Sequence, residues 1–132
     1  MTAEEPSVLQ YTVYGVPSVF YGDEAGVEGY GDPFCRRTFP WGRECGELVE
    51  HYRRLGQIRQ SEELFATGDF CVDYVSGALI AYSRYDENRR ITVVANASER
   101  SVSYPVGKQT VDMLTGKEYD GVVAPLSAVI LV

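Results

Sequence analysis

The sequence has few of the residues on which several common functions depend. It contains one histidine and three cysteines without a Cys-x-x-Cys pair, so no zinc site has a convincing ligand spacing. Its 12 Lys and Arg against 19 Asp and Glu give a net charge of -7, which argues against binding nucleic-acid phosphates. No apolar run approaches the roughly 20 residues that span a bilayer. We therefore expect no nucleic-acid or membrane partner, no metal and no other cofactor.

The N-terminal residues and the cysteines favour a cytoplasmic location. The first residues, MTAEEPSV, lack a basic segment followed by an apolar core, so they do not resemble a signal peptide. Cys35, Cys45 and Cys71 are odd in number, and reduced thiols are the simpler interpretation. A disulfide between Cys35 and Cys45 is the alternative if the protein is secreted.

Residues 15–41 join a short apolar run to a polar loop. Residues 18–21, SVFY, are rich in β-branched and aromatic side chains, which predicts a strand buried on both faces. The loop that follows Gly22 contains carboxylates, aromatic rings and two adjacent arginines. A buried strand that leads into such a loop is typical of the site-bearing end of a (β/α)8 barrel. A whole barrel needs about 250 residues, however, so 132 residues cannot form one.

The rest of the chain predicts one helix and many strands. In residues 44–61, Leu48, Tyr52, Leu55 and Ile58 recur at three- and four-residue spacing, which predicts an amphipathic helix. From Leu64 onward the apolar period changes to two, and turn residues separate the runs. This pattern predicts an antiparallel β-sandwich. The predicted strands cover residues 70–74, 78–83, 91–96, 101–105, 109–114, 121–124 and 127–132.

Three segments resemble a known family. Residues 15–24, GVPSVFYGDE, resemble the last barrel strand of the α-amylase superfamily of glycoside hydrolases. Residues 32–41, DPFCRRTFPW, are similar to a segment of the neopullulanase, cyclomaltodextrinase and maltogenic amylase branch. Residues 112–116, DMLTG, resemble an element of the C-terminal β domain of those enzymes. The matches occur in the family's order, and the resemblance covers nearly the whole chain.

The resemblance implies a mainly β protein with two parts. Residues 1–61 would be the remnant of the end of a (β/α)8 barrel. Within this part, residues 1–14 would end the seventh helix, and a remnant strand and loop would lead to the eighth. Residues 62–132 would form the antiparallel β-sandwich of the amylase C-terminal domain type.

The resemblance also implies a function in α-glucan hydrolysis with retention of configuration, on maltodextrins, cyclodextrins or pullulan. The family's catalytic carboxylates lie upstream of any segment matched here, so we expect no catalytic residue and no activity in this chain alone. A retaining glycosidase needs two carboxyls about 5 Å apart on a rigid scaffold. Asp23, Glu24, Glu28 and Asp32 instead share one glycine-rich loop. A non-catalytic carbohydrate-binding or assembly module is the alternative.

Four loop residues are candidates for substrate binding in the intact enzyme. By resemblance, Asp32 and Arg36 match positions that contact a sugar of the bound α-glucan, and both can hydrogen-bond sugar hydroxyls in fixed geometry. A salt bridge that only shapes the loop is the alternative for this pair. Tyr30 and Trp41 can stack on pyranose rings through their apolar faces, or they belong to the core of the loop.

The predicted strand in residues 16–21 has no neighbouring strand in this sequence. An exposed hydrophobic edge invites pairing with another chain. Residues 1–43 are therefore expected either to form a homodimer contact or to fold onto the helix at residues 46–60.

Overall fold

The chain consists of helices followed by a β-rich part. A computed structural model describes residues 4–108 and 110–132, with side chains from residue 5 onward. The helices are α1 (Glu4–Thr12), α2 (Gly46–Ser61) and α3 (Leu64–Thr67), and a single 3-10 turn spans Asp23–Ala25. The strands are β1 (Asp69–Ser76), β2 (Leu79–Tyr85), β3 (Arg90–Asn96), β4 (Val102–Ser103), β5 (Val111–Asp112), β6 (Lys117–Glu118), β7 (Val122–Val123) and β8 (Ser127–Leu131).

The strands form one large and one small antiparallel sheet. The large sheet has six strands in the order β1-β2-β3-β8-β5-β6, and β4 pairs with β7 in the small sheet. Strand β8 joins β3 from Thr92 opposite Leu131 to Asn96 opposite Ser127, so the last strand of the chain lies in the middle of the large sheet. The mainly antiparallel β architecture expected from the sequence is confirmed.

Alternate residues of the large sheet face two different layers. One face packs against α1, α2 and α3, and the other packs against β7 and the chain around the small sheet. The apolar core on the helix side consists of Val8, Leu55, Ile58, Leu64, Phe65, Tyr82, Ile91, Val93 and Ile130. The opposite face buries Leu79, Ala81, Val94, Val123 and Leu131. The helices before residue 62 and the sheet after it thus share one core.

Helix α2 follows its predicted pattern and is attached to the sheet by a polar contact. Its Leu55 and Ile58 are buried, and its Glu47, Glu50 and Arg53 side chains are exposed. The guanidinium of Arg54 donates from Nε and Nη2 to the carbonyl oxygen of Met113, at 3.1 and 2.7 Å. This bond connects α2 to the turn between β5 and β6. Within the described residues, no helix is both long and apolar enough to cross a membrane.

The segment DMLTG builds a tight turn around a buried carboxylate. Asp112 is 6% exposed, and it accepts hydrogen bonds from the Leu114 and Ile130 amides and from the Thr115 hydroxyl, at 3.1, 3.0 and 2.8 Å. Gly116 has a φ of +69°, a conformation that glycine adopts without steric cost. The amide of Gly116 donates to the Asp112 carbonyl at 2.7 Å. This motif therefore fixes β5 against β8.

Residues 18–21 do not form the buried strand that the sequence predicts. The segment pairs with no strand among the described residues, and Val16 and Phe20 are 91% and 62% exposed. The apolar run has strand propensity, but a strand exists only when a neighbour completes its hydrogen-bond ladder.

Three smaller differences have local causes. Residues 64–67 form helix α3, because Leu64 and Phe65 both turn into the core instead of alternating between faces. Lys117–Glu118 pairs with β5 as strand β6, which lies outside the strands predicted from the sequence. Of the strand expected at residues 109–114, Val111–Asp112 is observed, and Gln109 lies outside the described residues.

Asp112→Ala is expected to lower the free energy of unfolding by about 2–4 kcal/mol, because it leaves buried donors such as the Ile130 amide without an acceptor. Urea denaturation followed by circular dichroism measures the change. Asp120→Ala is the matched control. The exposed Asp120 carboxylate accepts from the Val122 amide, so we expect a change below about 1 kcal/mol. Equal effects of the two substitutions would contradict this account of the turn.

Candidate functional site

The loop at residues 22–45 is attached to the rest of the chain at both of its ends. At the first end, Gly22 has a φ of +87°, and a Cβ there would lie 2.9 Å from the Val27 side chain, so the tight turn requires glycine. Ala25 in the 3-10 turn is buried, and its carbonyl accepts from the Cys45 amide at 3.1 Å. This bond joins the beginning of the loop to the start of α2.

Asp32 and Arg36 form a two-point ion pair at the surface of the loop. Arg36 Nε lies 2.7 Å from Asp32 Oδ1, and Arg36 Nη2 donates to Oδ2 at 3.0 Å. Both side chains are largely exposed, at 74% for Arg36 and 61% for Asp32. The structure therefore brings together the two charged residues that the sequence singles out. Their outward orientation leaves them accessible to a ligand.

Three aromatic rings lie side by side where the loop returns to the helix. The Trp41 and Phe39 ring centroids are 4.6 Å apart, and Phe39 meets Tyr21 edge to face at 6.1 Å. The Tyr21 hydroxyl donates to the Arg37 carbonyl at 3.0 Å. Trp41 itself is 81% exposed, so one large apolar ring of the three faces solvent. We call Tyr21, Phe39 and Trp41 the aromatic row.

Tyr30 stands apart from this row. Its ring is 84% exposed, and among the described residues no hydrogen bond or ring contact joins it to Asp32, Arg36 or Trp41. Tyr21 and Phe39 are members of the site that the sequence pattern did not indicate. The Trp41 amide donates to the Phe39 carbonyl at 2.9 Å, so the chain turns at Pro40 between the two rings. A proline between two aromatic residues, which marks a turn, was the available signal.

The carboxylates at the start of the loop face tyrosines of the helices. Burial raises the pKa of Tyr52, and the negative charge of Asp23 raises it further. Burial also raises the pKa of Tyr11, with a smaller contribution from Glu24. The Tyr11 and Tyr52 rings meet edge to face at 6.1 Å. Burial, with a smaller contribution from these carboxylates, therefore keeps both phenols neutral.

The cysteines and the single histidine have structural surroundings. All three cysteines are free thiols. Burial raises the pKa of Cys71, and its hydrogen bond to Asp73 raises it further, so the reactive thiolate is disfavoured. His51 Nε2 lies 2.8 Å from the Ser7 hydroxyl. Within the described residues, no group of three or more metal-ligating side chains is arranged to hold an ion.

Asn96 begins the sequence Asn-Ala-Ser, a glycosylation acceptor pattern, but its side chain is fully buried. The amide nitrogen donates to the carbonyls of Arg100 and Ala124 at 2.8 and 3.0 Å. Its oxygen accepts from the Ser98 amide at 3.0 Å. Asn96 is thus a structural residue at the end of β3.

Sequence comparison finds several curated relatives, while no family model matches. The chain is 34% identical over 131 residues to an amylopullulanase of Thermoanaerobacter thermohydrosulfuricus, covering 86% of the chain and 9% of the relative. It is 37% identical over 95 residues to a cyclomaltodextrinase of Thermoanaerobacter pseudethanolicus, covering 70% and 17%. It is 34% identical over 121 residues to a maltogenic α-amylase of Bacillus acidopullulyticus, covering 84% and 21%. The chain therefore spans about a fifth or less of the length of these relatives.

Solved structures match almost the whole chain. The maltogenic amylase of S. marinus superposes with a TM-score of 0.86 and 30% identity over 97% of the chain and 19% of that protein. A debranching enzyme of Nostoc punctiforme superposes with a TM-score of 0.84 and 26% identity, covering 98% and 30%. In both cases the match includes the loop as well as the sheet.

Asp32→Asn is expected to change the free energy of unfolding by less than about 0.5 kcal/mol, because an exposed ion pair contributes little to stability. Urea denaturation of the variant and the unchanged chain measures the difference. Glu50→Gln, which removes a similarly exposed pair with Arg53 on α2, is the control and is expected to behave alike. A loss above about 1 kcal/mol specific to Asp32→Asn would show that the pair holds the loop.

Proposed function

The chain is homologous to the C-terminal portion of α-amylase-family glycoside hydrolases, in the branch of neopullulanases, cyclomaltodextrinases and maltogenic amylases, and from this premise we propose that it serves as that portion of an α-glucan hydrolase. The observation that carries the proposal is the structural match to the maltogenic amylase of S. marinus, which covers 97% of the chain and therefore includes the loop, the helices and the sheet. Maltodextrins, cyclodextrins or pullulan are the proposed substrates of the intact enzyme.

In this proposal the chain supplies structure and substrate contacts, and the chemistry takes place on residues outside it. Residues 1–61 are the end of the barrel, and residues 62–132 are the C-terminal β domain. The intact enzyme acts by double displacement with retention, which requires two carboxyls about 5 Å apart across the sugar. The loop carboxylates do not fill that role, since Asp32 is engaged with Arg36 and Asp23 lies beside Tyr52.

The exposed segment at residues 16–21 supports a barrel origin. Val16 and Phe20 expose most of their apolar surface, and residues 16–21 pair with no strand among the described residues. Neighbouring barrel strands would bury these apolar side chains and pair with the backbone, because parallel strands in such folds are buried on both faces. The alternative is that a second copy of the chain covers this segment, in a homodimer through residues 1–43. Size-exclusion chromatography with light scattering tests this alternative.

We also expect the protein to reside in the cytoplasm.

The four loop residues have distinct proposed roles. Asp32 and Arg36 present a carboxylate and a guanidinium in fixed relative orientation, which suits hydrogen bonds to adjacent sugar hydroxyls. Trp41 and Tyr30 offer exposed rings whose apolar faces can cover a pyranose ring. Phe39 packs against Trp41, and Tyr21 packs against Phe39 in turn.

A non-catalytic carbohydrate-binding module is the second candidate. The observation that favours it is the high exposure of Tyr30 and Trp41 in the chain by itself, at 84% and 81%. A module of this kind would bind glucan without the rest of an enzyme.

The isolated chain is expected to neither hydrolyse maltoheptaose nor bind it with micromolar affinity, because one ion pair and separate rings enclose too little of a sugar. Product analysis after long incubation and isothermal titration calorimetry measure the two properties. Release of glucose or maltose at an enzyme-like rate would overturn the proposal. Micromolar binding that Trp41→Ala abolishes and Tyr74→Ala retains would favour the binding module, since Tyr74 is an exposed ring on β1 far along the chain from the loop.

Arg36→Lys is expected to lower kcat/KM for maltoheptaose about tenfold in a polypeptide in which a (β/α)8 barrel precedes this chain. Lysine keeps the charge but loses the planar fork, and a tenfold loss corresponds to about 1.4 kcal/mol of transition-state binding. Arg53→Lys is the matched control, because Arg53 forms an exposed pair with Glu50 on α2 and is expected to leave kcat/KM unchanged. Equal kinetics of both variants would remove Arg36 from the substrate site.

A further inference from the structure

Arg84 is a buried arginine whose partners are backbone carbonyls. It lies on the helix-facing side of β2 with 0% of its surface exposed. Its guanidinium donates to carbonyl oxygens of five residues, and the described residues place no carboxylate on it. These acceptors are Thr12 and Val13 at 3.2 and 3.4 Å, Phe65 at 3.0 Å, Gly68 at 2.8 Å and Asp69 at 3.3 Å. A buried charge without an ion-pair partner is costly, so this set of bonds must compensate for lost hydration.

Four of the five acceptor carbonyls lie at the ends of two helices. The Thr12 and Val13 carbonyls belong to the end of α1, and Phe65 and Gly68 belong to α3 and its C-terminal boundary. The last carbonyls of a helix have no partner within the helix, and they carry its partial negative charge. A guanidinium with five N–H donors in a planar fork can serve several of them at once. Arg84 thereby joins both helix ends to the central sheet.

A second arginine and an aromatic ring complete this attachment. Arg59 of α2 donates from Nη1 to the Tyr11 carbonyl at 2.6 Å and from Nη2 to the Gly15 carbonyl. The Tyr14 ring lies under the guanidinium of Arg84, with 4.8 Å from Cζ to the ring centroid, and it meets Phe70 of β1 at 5.8 Å. Residues 11–15 are therefore held from both α2 and the sheet, directly before the exposed segment and the loop.

We propose that Arg84 is a positioning residue through which the β sheet sets the place and direction in which residues 16–43 leave α1. The functional consequence rests on the proposed function, because that segment carries Asp32, Arg36 and Trp41. The sheet would then do more than cover the helices. It would hold the residues from which the substrate-side loop begins.

A residue that merely fills the core would act differently. If Arg84 contributes only general packing, its replacement lowers protection from hydrogen exchange throughout the chain. If it positions the segment, the effect is concentrated in residues 12–43 and in residues 65–69, whose carbonyls it also binds, while amides of β3 and β8 stay protected. Local opening and global unfolding are distinguished by native-state hydrogen exchange in this way.

The test is hydrogen–deuterium exchange with mass spectrometry on the full chain and on Arg84→Met, Arg84→Lys and Arg53→Met. Arg84→Met is expected to raise exchange at least tenfold at hydrogen-bonded amides of residues 12–43, such as Val13, Ala25 and Val27, and to change β3 and β8 by less than about twofold. Arg84→Lys, which keeps the charge without the fork, is expected to give an intermediate rise. Arg53→Met is the control, because its exposed side chain contacts Glu50 away from this attachment.

Arg59→Met provides an independent reading should Arg84→Met fail to fold, because it removes the neighbouring bonds from a half-buried side chain. A selective rise in residues 12–43 in Arg59→Met and Arg84→Lys supports the proposal. A uniform rise in all segments, or unchanged exchange in residues 12–43 in both, overturns it. The measurement uses no sugar, so a failure of the proposed glucan function leaves this result unaffected.

Discussion

The rest of the structure depends on the burial of the helices against one face of the six-stranded sheet. Val8 of α1 and Leu55 and Ile58 of α2 fill a layer with Tyr82 and Val93 of the sheet. Each such side chain contributes about 1.5–3 kcal/mol when it is buried. Among the described residues, the buried apolar side chains of α1 and α2 all belong to this layer, so the helical and β parts cover each other's apolar surface.

Polar bonds through this shared core give it a definite geometry. Apolar packing alone tolerates sliding between layers, whereas a buried donor must find its own acceptor. The Tyr82 and Thr12 hydroxyls lie 2.5 Å apart, and burial raises the pKa of Tyr82 to about 12, so the phenol stays neutral beside α1. Arg54 connects α2 to the β5–β6 turn, and Arg84 connects the ends of α1 and α3 to β2. Tyr82 and Arg84 both contact Thr12 at the end of α1, and Arg54 contacts the β5–β6 turn, so the helical layer is held at two separate places. Two separate attachments restrict rotation of that layer on the sheet.

The sequence predicts the elements whose stabilising contacts have a regular period. Helix α2 and strands β2, β3 and β8 lie where the apolar spacing indicates, and the DMLTG segment forms a specific turn in the β part. The state of residues 16–21 could not be predicted from apolar spacing, because a strand there requires neighbouring strands that the local sequence does not contain.

Side-chain interactions between distant segments were the other feature that could not be predicted from the sequence. Asp32 and Arg36 are four residues apart, so their ion pair could be expected from the sequence, and it is present in the structure. The ring contact of Tyr21 with Phe39 instead joins two ends of a loop. Arg84 alternates in register with Ile80 and Tyr82 and so had to face inward, but its acceptors lie 15 to 72 positions away in the chain. Nothing in a single sequence reveals such partners.

Differential scanning calorimetry of the whole chain tests the central claim that helices and sheet are one cooperative unit. The account predicts a single transition in which the calorimetric and van't Hoff enthalpies agree, with a ratio of about 1. Two separate transitions, one for residues 1–61 and one for residues 62–132, would contradict it.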